Sequence, residues 1–86
     1  MTALYELRHT ATFDRDLNKL DSSIKKHLEK TLEKVLEDPA RFKPLEHFPS
    51  HYRLRLEQFR VIYKVEGNAI ILLFVRKRDE VYRQIK

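Results

Sequence analysis

The apolar residues of this chain change their spacing about halfway along it, from a helical period to a strand period. In the first half they recur every three or four positions, as in Phe13, Leu17 and Leu20, which places them on one face of a helix. In segment 51–56 they alternate strictly with polar residues, which is the two-residue period of a strand. The sequence therefore predicts an α+β fold, in which helices come first and a sheet of antiparallel strands follows.

Capping residues and a proline predict a hairpin of two helices. Thr10 or Thr12 can cap the first helix, and Asp21 or Ser22 can cap a second helix that ends just before Pro39. The charged residues of both helices are expected to form a solvated face. On the first helix the residues placed outside are Asp14, Arg15, Asp16 and Lys19.

Four strands are predicted around this hairpin. Segment 4–9 is a short first strand, and segment 39–50, which contains all three prolines, is an irregular connector. The remaining strands form an antiparallel meander with Gly67 in its second turn, at 51–57, 59–66 and 69–76. Segment 69–75 is apolar on both faces and is expected to be central or doubly covered. The tail, 77–86, is expected to close as a short helical turn.

Charge and composition exclude several classes of function. The net charge is +5, and residues 44–86 carry nine Lys or Arg against five Asp or Glu, with Arg making up six of the nine, which suits a polyanionic partner. No cysteine is present, so a disulfide framework, a thiolate nucleophile and a zinc-thiolate site are excluded. The four histidines lack the spacing of a metal motif, and no metal site is expected. No apolar run is long enough to span a bilayer and no leader is recognised, so a cytoplasmic protein without membrane contact is expected.

Four arginines of the C-terminal half are expected to converge. Arg53 and Arg55 lie on one face of their strand, Arg60 begins the next strand, and Arg76 ends the central strand on the face of the even-numbered residues 70–74. A groove of guanidinium groups could hold a phosphodiester and stabilise extra charge in its transition state. RNA carries its own nucleophile, the 2′-hydroxyl, so no metal is needed. The alternative, solvated charges on the open face of a sheet, fits the same pattern.

Other side chains are weaker candidates for such a site. Tyr82 lies among charged residues, whereas Tyr52 and Tyr63 alternate with apolar residues and are expected in the core. His47 and His51 are either surface residues or contacts for RNA. The possible bases are Glu46, Glu57 and Glu80.

Four segments together resemble the successive signatures of the RelE/ParE toxin superfamily, over nearly the whole chain. They are Pro44–Phe48, Tyr52–Leu56, Phe59–Val65 and Val75–Arg83. The resemblance implies one RelE-like toxin domain over residues 1–86, belonging to a type II toxin-antitoxin system. It further implies an mRNA interferase that enters the ribosomal A site and cleaves messenger RNA by metal-independent attack of the 2′-hydroxyl, without a cofactor.

The resemblance also assigns roles to individual residues. Arg53 and Arg55 match the paired basic positions of RelE-type nucleases, where Lys is common. Arg60 would hold the scissile phosphate, Arg76 would stabilise the leaving oxygen, and Tyr82 would stack on or orient a base. Further RNA-binding residues are His51, Lys77, Arg78 and Arg83.

The partners that the resemblance implies are a cognate acidic, RelB-like antitoxin, the ribosome and mRNA. Promoter DNA would be bound only through the complex with the antitoxin. Two alternatives remain open from the sequence. One is a ParE-like, non-enzymatic inhibitor of DNA gyrase, and the other is a toxin homologue that has lost activity, which the Arg-for-Lys changes and the short tail would fit.

Overall fold

The computed structural model describes residues 5–84, apart from the side chains of residues 82–84. An N-terminal strand is followed by two helices, by a run of strands and by a last short helix. The elements are β1 (Glu6–His9), α1 (Ala11–Asn18), α2 (Ser22–Glu37), a 3-10 turn (Pro39–Arg41), β2 (Lys43–Pro44), β3 (His51–Leu56), β4 (Phe59–Glu66), β5 (Ala69–Lys77) and α3 (Arg78–Gln84). The predicted α+β order is confirmed.

Side-chain caps begin both helices of the hairpin. The hydroxyl oxygen of Thr10 accepts a hydrogen bond from Phe13 N at 3.2 Å, and the same hydroxyl donates to Leu72 O at 2.9 Å. Thr10 therefore ties the start of α1 to β5. The carboxylate of Asp21 accepts from Ile24 N at 3.0 Å at the start of α2. Of each pair of candidate caps, the structure selects the first.

The strands form one five-stranded sheet in the order β1-β5-β4-β3-β2. β1 runs parallel to β5, while β3, β4 and β5 form the predicted antiparallel meander. The first half of β5 pairs on both sides, with β1 and with β4, as the apolar segment 69–75 predicts. β2 is a two-residue edge strand that pairs with β3. It lies inside segment 39–50, which the sequence predicts to be an irregular connector. Two residues are too few to show the alternation of a strand, and one of them is a proline.

A β-bulge changes which residues of β5 share a face. Tyr63 pairs with Leu72, but the preceding residue, Ile62, pairs with Phe74, so β5 has one extra residue at this point. Such an insertion moves the following side chains to the opposite face. The expectation that the even-numbered residues 70–74 share a face with Arg76 is therefore wrong for Ile70 and Leu72 and is confirmed only for Phe74. Leu72 belongs to the core, whereas Phe74 and Arg76 lie on the other face.

The helical hairpin covers one face of the sheet and buries the core against it. The hairpin contributes Phe13, Ile24, Leu28 and Val35 from its helices and Leu20 from the turn between them, and the strands contribute Leu54, Leu56, Val61, Tyr63, Ile70, Leu72 and Val75. The Tyr63 hydroxyl donates to Pro39 O at 2.6 Å, which anchors the 3-10 turn to β4. Burial, with smaller contributions from neighbouring Tyr52 and Asp38, raises the pKa of Tyr63. No helix in the described residues is long and apolar enough to span a membrane.

One charged residue of α1 lies on the buried side, against expectation. Asp16 is only 8% exposed, although the sequence places it with the solvated residues. It follows Phe13 by three positions and precedes Leu20 by four, and residues at this spacing share a helix face. The prediction that Asp16 faces solvent is therefore wrong, and its carboxylate needs partners inside the protein.

Candidate functional site

Three arginines lie side by side across three neighbouring strands. Arg55 of β3 pairs with Arg60 of β4, and Arg60 pairs in turn with Arg76 of β5. Paired residues of neighbouring strands point to the same face of a sheet. Their neighbours in sequence, Leu54 and Val61, are in the core under the helices. All three arginines therefore leave the sheet on the face opposite the helical hairpin, although the Arg76 side chain then turns towards α1.

A cleft of about 550 Å³ on this face is lined by six cationic side chains and by Phe42. We call it the basic cleft. Its cationic residues are Arg41, Lys43, Arg53, Arg55, Arg60 and Arg78. No carboxylate is among the described residues that line it. Several like charges in one concave surface create a positive potential that attracts polyanions.

Arg41 and Lys43 are contributors that the sequence analysis missed. Arg41 ends the 3-10 turn, and Lys43 pairs with Arg53 across the short β2–β3 ladder. The bond from Tyr63 to Pro39 O holds the start of this segment against the sheet. In the sequence, the only indication that they belong to the site is that two cations follow closely after Pro39, where α2 has ended.

Arg60 is a buried residue whose guanidinium is oriented by the backbone. Arg60 is 6% exposed, and its Nη1 donates to Glu57 O at 3.0 Å and to Phe59 O at 2.8 Å. Glu57 belongs to the β3–β4 turn and has a left-handed φ of 55°, and Phe59 is the first residue of β4. These carbonyl groups fix the plane of the guanidinium. A cation held in this way needs little reorganisation when an anion binds.

Arg76 is held differently and lines a separate hollow. Its Nε donates to Asp16 Oδ2 at 3.1 Å, and its guanidinium carbon lies 5.0 Å from the centre of the Phe74 ring. The hollow has a volume of about 380 Å³ and also contains Lys77 and Glu80. The structure thus brings three of the four predicted arginines, Arg53, Arg55 and Arg60, into one cleft and directs the fourth towards α1.

Two of the other predicted residues line these hollows, and His51 lines neither. Arg78 lines the basic cleft and Lys77 lines the hollow of Arg76. His51 begins β3, with its Nδ1 2.8 Å from Pro49 O. Tyr82 and Arg83 belong to α3 by their backbone, but their side chains lie outside the described residues.

None of the candidate bases lines the basic cleft. Glu57 is 3.4 Å from His27 Nδ1, and Glu80 lies in the hollow of Arg76. Tyr52 stacks on buried Tyr63, with ring centres 5.5 Å apart, as its alternation with apolar residues predicts. Across residues 5–81, no three His, Asp or Glu side chains are grouped as a metal site requires.

The chain was compared with known protein families, with curated sequences and with solved structures. The family model described as the ParE toxin of type II toxin-antitoxin system, parDE, matches residues 7–82. Isolated Escherichia coli RelE toxin is 30% identical, with 93% of each chain covered and a TM-score of 0.78. A free double mutant of the same toxin is 27% identical, with 95% of this chain and 94% of that chain covered and a TM-score of 0.82. No curated protein sequence matches the chain.

A solved complex also matches. The intact Escherichia coli RelBE toxin-antitoxin complex contains a chain that is 27% identical, with 85% of this chain and 95% of that chain covered and a TM-score of 0.78. The shared architecture therefore extends over most of both chains, and it includes the strands that carry the basic cleft.

Proposed function

This chain belongs to the family of ParE toxins of type II toxin-antitoxin systems, within the RelE/ParE superfamily, and we propose that it is a ribosome-dependent endoribonuclease. It would cleave mRNA in the ribosomal A site and so inhibit translation, as a toxin domain that spans residues 1–86. The observation that carries the proposal is the basic cleft, in which buried Arg60 is oriented by two backbone carbonyls and no described lining residue is acidic.

The proposed reaction is an internal transfer at phosphorus. The 2′-oxygen of the RNA forms a bond to the adjacent phosphorus while the bond from phosphorus to the 5′-oxygen breaks. The products are a 2′,3′-cyclic phosphate and a 5′-hydroxyl, and the proton lost by the 2′-hydroxyl is balanced by one gained at the 5′-oxygen. Because the transition state carries more negative charge than the substrate, oriented cations stabilise it preferentially.

Each residue has a defined part in this proposal. Arg60 holds the scissile phosphate, and Arg53 and Arg55 bind the phosphodiester from β3. Arg76 stabilises the departing 5′-oxygen, and Tyr82 stacks on a base. The remaining RNA contacts are His51, Lys77, Arg78 and Arg83.

The proposed dependence on the ribosome concerns the alignment of the substrate. A site that supplies charge and orientation, without an acidic side chain to act as a base, depends strongly on the geometry in which its substrate arrives. The ribosome presents the A-site codon in a fixed conformation, so it would supply the alignment of the 2′-hydroxyl with the phosphorus. The resemblance to RelE-type nucleases implies the same target, and the 30% identity to the RelE toxin of Escherichia coli fits that resemblance.

Inhibition of DNA gyrase is the second candidate, because the matching family model is that of the ParE toxins. In that case the cations of the basic cleft would be contact residues for a protein or nucleic-acid surface, and no RNA would be cut. This candidate requires no catalytic geometry at Arg60.

The proposed regulatory partner is an acidic, RelB-like antitoxin. A related toxin has been solved in complex with its antitoxin, and six cations in one cleft are readily covered by an anionic segment. In this proposal, promoter DNA is bound only through the complex with the antitoxin. Purified complex should release active toxin only when the antitoxin is removed.

The two candidate functions are separated by assaying programmed ribosomes and gyrase supercoiling side by side. Arg60→Gln and Arg55→Gln are each expected to slow mRNA cleavage by about 100-fold or more, the usual scale for one oriented charge. Arg55 is exposed, so its variant should fold even if that of buried Arg60 does not. Arg15→Gln, an exposed arginine of α1, is the matched control and should cleave normally. Intact cleavage by the cleft variants would refute the site, and gyrase inhibition without cleavage would favour the second candidate.

A further inference from the structure

We infer that Asp16 is a positioning residue for Arg76, and that it holds the guanidinium in the orientation in which its terminal nitrogens meet the reacting phosphate. This inference rests on the proposed function and adds to it a residue of α1, an element otherwise outside the site. Nothing in the family resemblance or in the basic cleft assigns a role to Asp16.

The first observation is the way the Asp16 carboxylate is bound. Its Oδ2 accepts from Arg76 Nε at 3.1 Å and from Val75 N at 3.3 Å. The Asp16 side chain is only 9% exposed and that of Arg76 is 25% exposed. One buried oxygen therefore joins the backbone of β5 to the side chain that follows it. A partly buried ion pair of this kind is screened less by solvent than a surface pair.

The second observation is that the pair forms beyond the end of β1. β1 pairs with residues 69–72 of β5, so the backbone N–H of Val75 has no strand partner on that side. Asp16 takes the place of the missing strand for this donor. The Thr10 hydroxyl fixes the start of α1 to β5. The Asp16 carboxylate connects the same helix to β5 at a second point.

The third observation concerns the nitrogens that Asp16 does not use. Asp16 engages the Nε of Arg76, and Phe74 lies under the guanidinium at 5.0 Å. Among the described residues, the two terminal nitrogens of Arg76 have no hydrogen-bond acceptor. A guanidinium held through Nε and supported by an aromatic face presents its terminal N–H groups as a fork, which is the geometry that binds phosphate oxygens.

The bulge in β5 determines the face of the sheet from which the Arg76 side chain leaves. It turns Arg76 out of the core and into the row of Arg55 and Arg60, while the backbone N–H of Val75 stays directed at α1. Without Asp16, the long side chain of Arg76 would sample several rotamers at this edge of the sheet. Loss of a fixed orientation at a catalytic group can reduce a rate by about 100-fold.

The test is a double-mutant cycle on single-turnover cleavage of ribosome-bound mRNA. Asp16→Ala is expected to slow cleavage by about 10- to 100-fold with unchanged binding to the ribosome. In an Arg76→Ala background the same substitution should change the residual rate less than about twofold, because Asp16 acts through Arg76. Asp16→Asn retains an oxygen acceptor and should recover part of the rate. Asp14→Ala, on the same helix and exposed, is the matched control and should cleave normally.

A second readout reports the contact without relying on cleavage. In nuclear magnetic resonance spectra, the Arg76 Nε–H proton should exchange slowly with solvent in the unmodified protein and rapidly in Asp16→Ala. Equal slowing by Asp16→Ala in both backgrounds would show a purely structural role and overturn the inference, as would unchanged cleavage or unchanged proton exchange. Absence of cleavage by the unmodified protein would instead refute the proposed function, and the assignment of Asp16 would fall with it.

Discussion

The number of cations in the basic cleft sets how steeply binding of RNA should depend on salt. Each phosphate neutralised on a single strand contributes about −0.7 to the slope of log K against log salt concentration. Six cationic side chains line the cleft, which gives a limiting slope of about −4. Raising the salt concentration from about 50 to 200 mM should then weaken binding by about 300-fold.

The assay is fluorescence anisotropy with a short labelled RNA whose 2′-hydroxyls are all methylated, so that it cannot be cut. Replacing Arg53 and Arg55 together by Gln should make the slope shallower by about 1.4. The matched control replaces Lys26 and Lys30, which are exposed on the solvated face of α2, and its slope should not change. A slope near zero for the unmodified protein, or an equal change in both double variants, would refute the assignment of the cleft as an RNA-binding site.

Two further predictions concern stability. Tyr63→Phe removes the donor to Pro39 O and leaves a buried carbonyl without it, so the free energy of unfolding should fall by about 1–3 kcal/mol; an unchanged urea midpoint would contradict this. Asp21→Ala removes the cap of α2 and should lower the urea midpoint at neutral pH. The Ile24 N–H, and secondarily the Ser23 hydroxyl, lower the pKa of Asp21 below its usual 3.8. The ionised carboxylate therefore stabilises the fold at pH values above its usual pKa of 3.8, and this contribution is lost as the pH falls through the lowered pKa of the folded state. The urea midpoints of the unmodified protein and of Asp21→Ala should then converge in acid. A difference between the two midpoints that does not change with pH would contradict the reasoning.

The regular elements could be predicted because each half of the chain has a clear hydrophobic period. The helical spacing predicts both helices, and the alternation in 51–56 predicts β3 and the exposure of Arg55. The bulge could not be predicted in this way. Segment 69–75 is apolar on both faces, so a one-residue shift leaves no break in its pattern, and the face of Arg76 is undetermined from sequence.

The burial of Asp16 shows a second limit of prediction from sequence. The spacing of Asp16 from Phe13 and Leu20 is visible in the sequence, but its partners Arg76 and Val75 lie about 60 residues away. A carboxylate is assigned to solvent unless a partner for it is known. Arg76 and Val75 come within hydrogen-bond distance of Asp16 only because α1 packs on β5.

The most direct test of the account is cleavage of an mRNA on programmed ribosomes in which a single A-site nucleotide carries a 2′-deoxy sugar, just 5′ of the expected cut. The account predicts that the unmodified mRNA is cut and ends in a 2′,3′-cyclic phosphate, whereas the 2′-deoxy mRNA remains intact at that bond. Cleavage of both substrates at the same bond, or of neither, would contradict a metal-independent nuclease that uses the nucleophile of its own substrate.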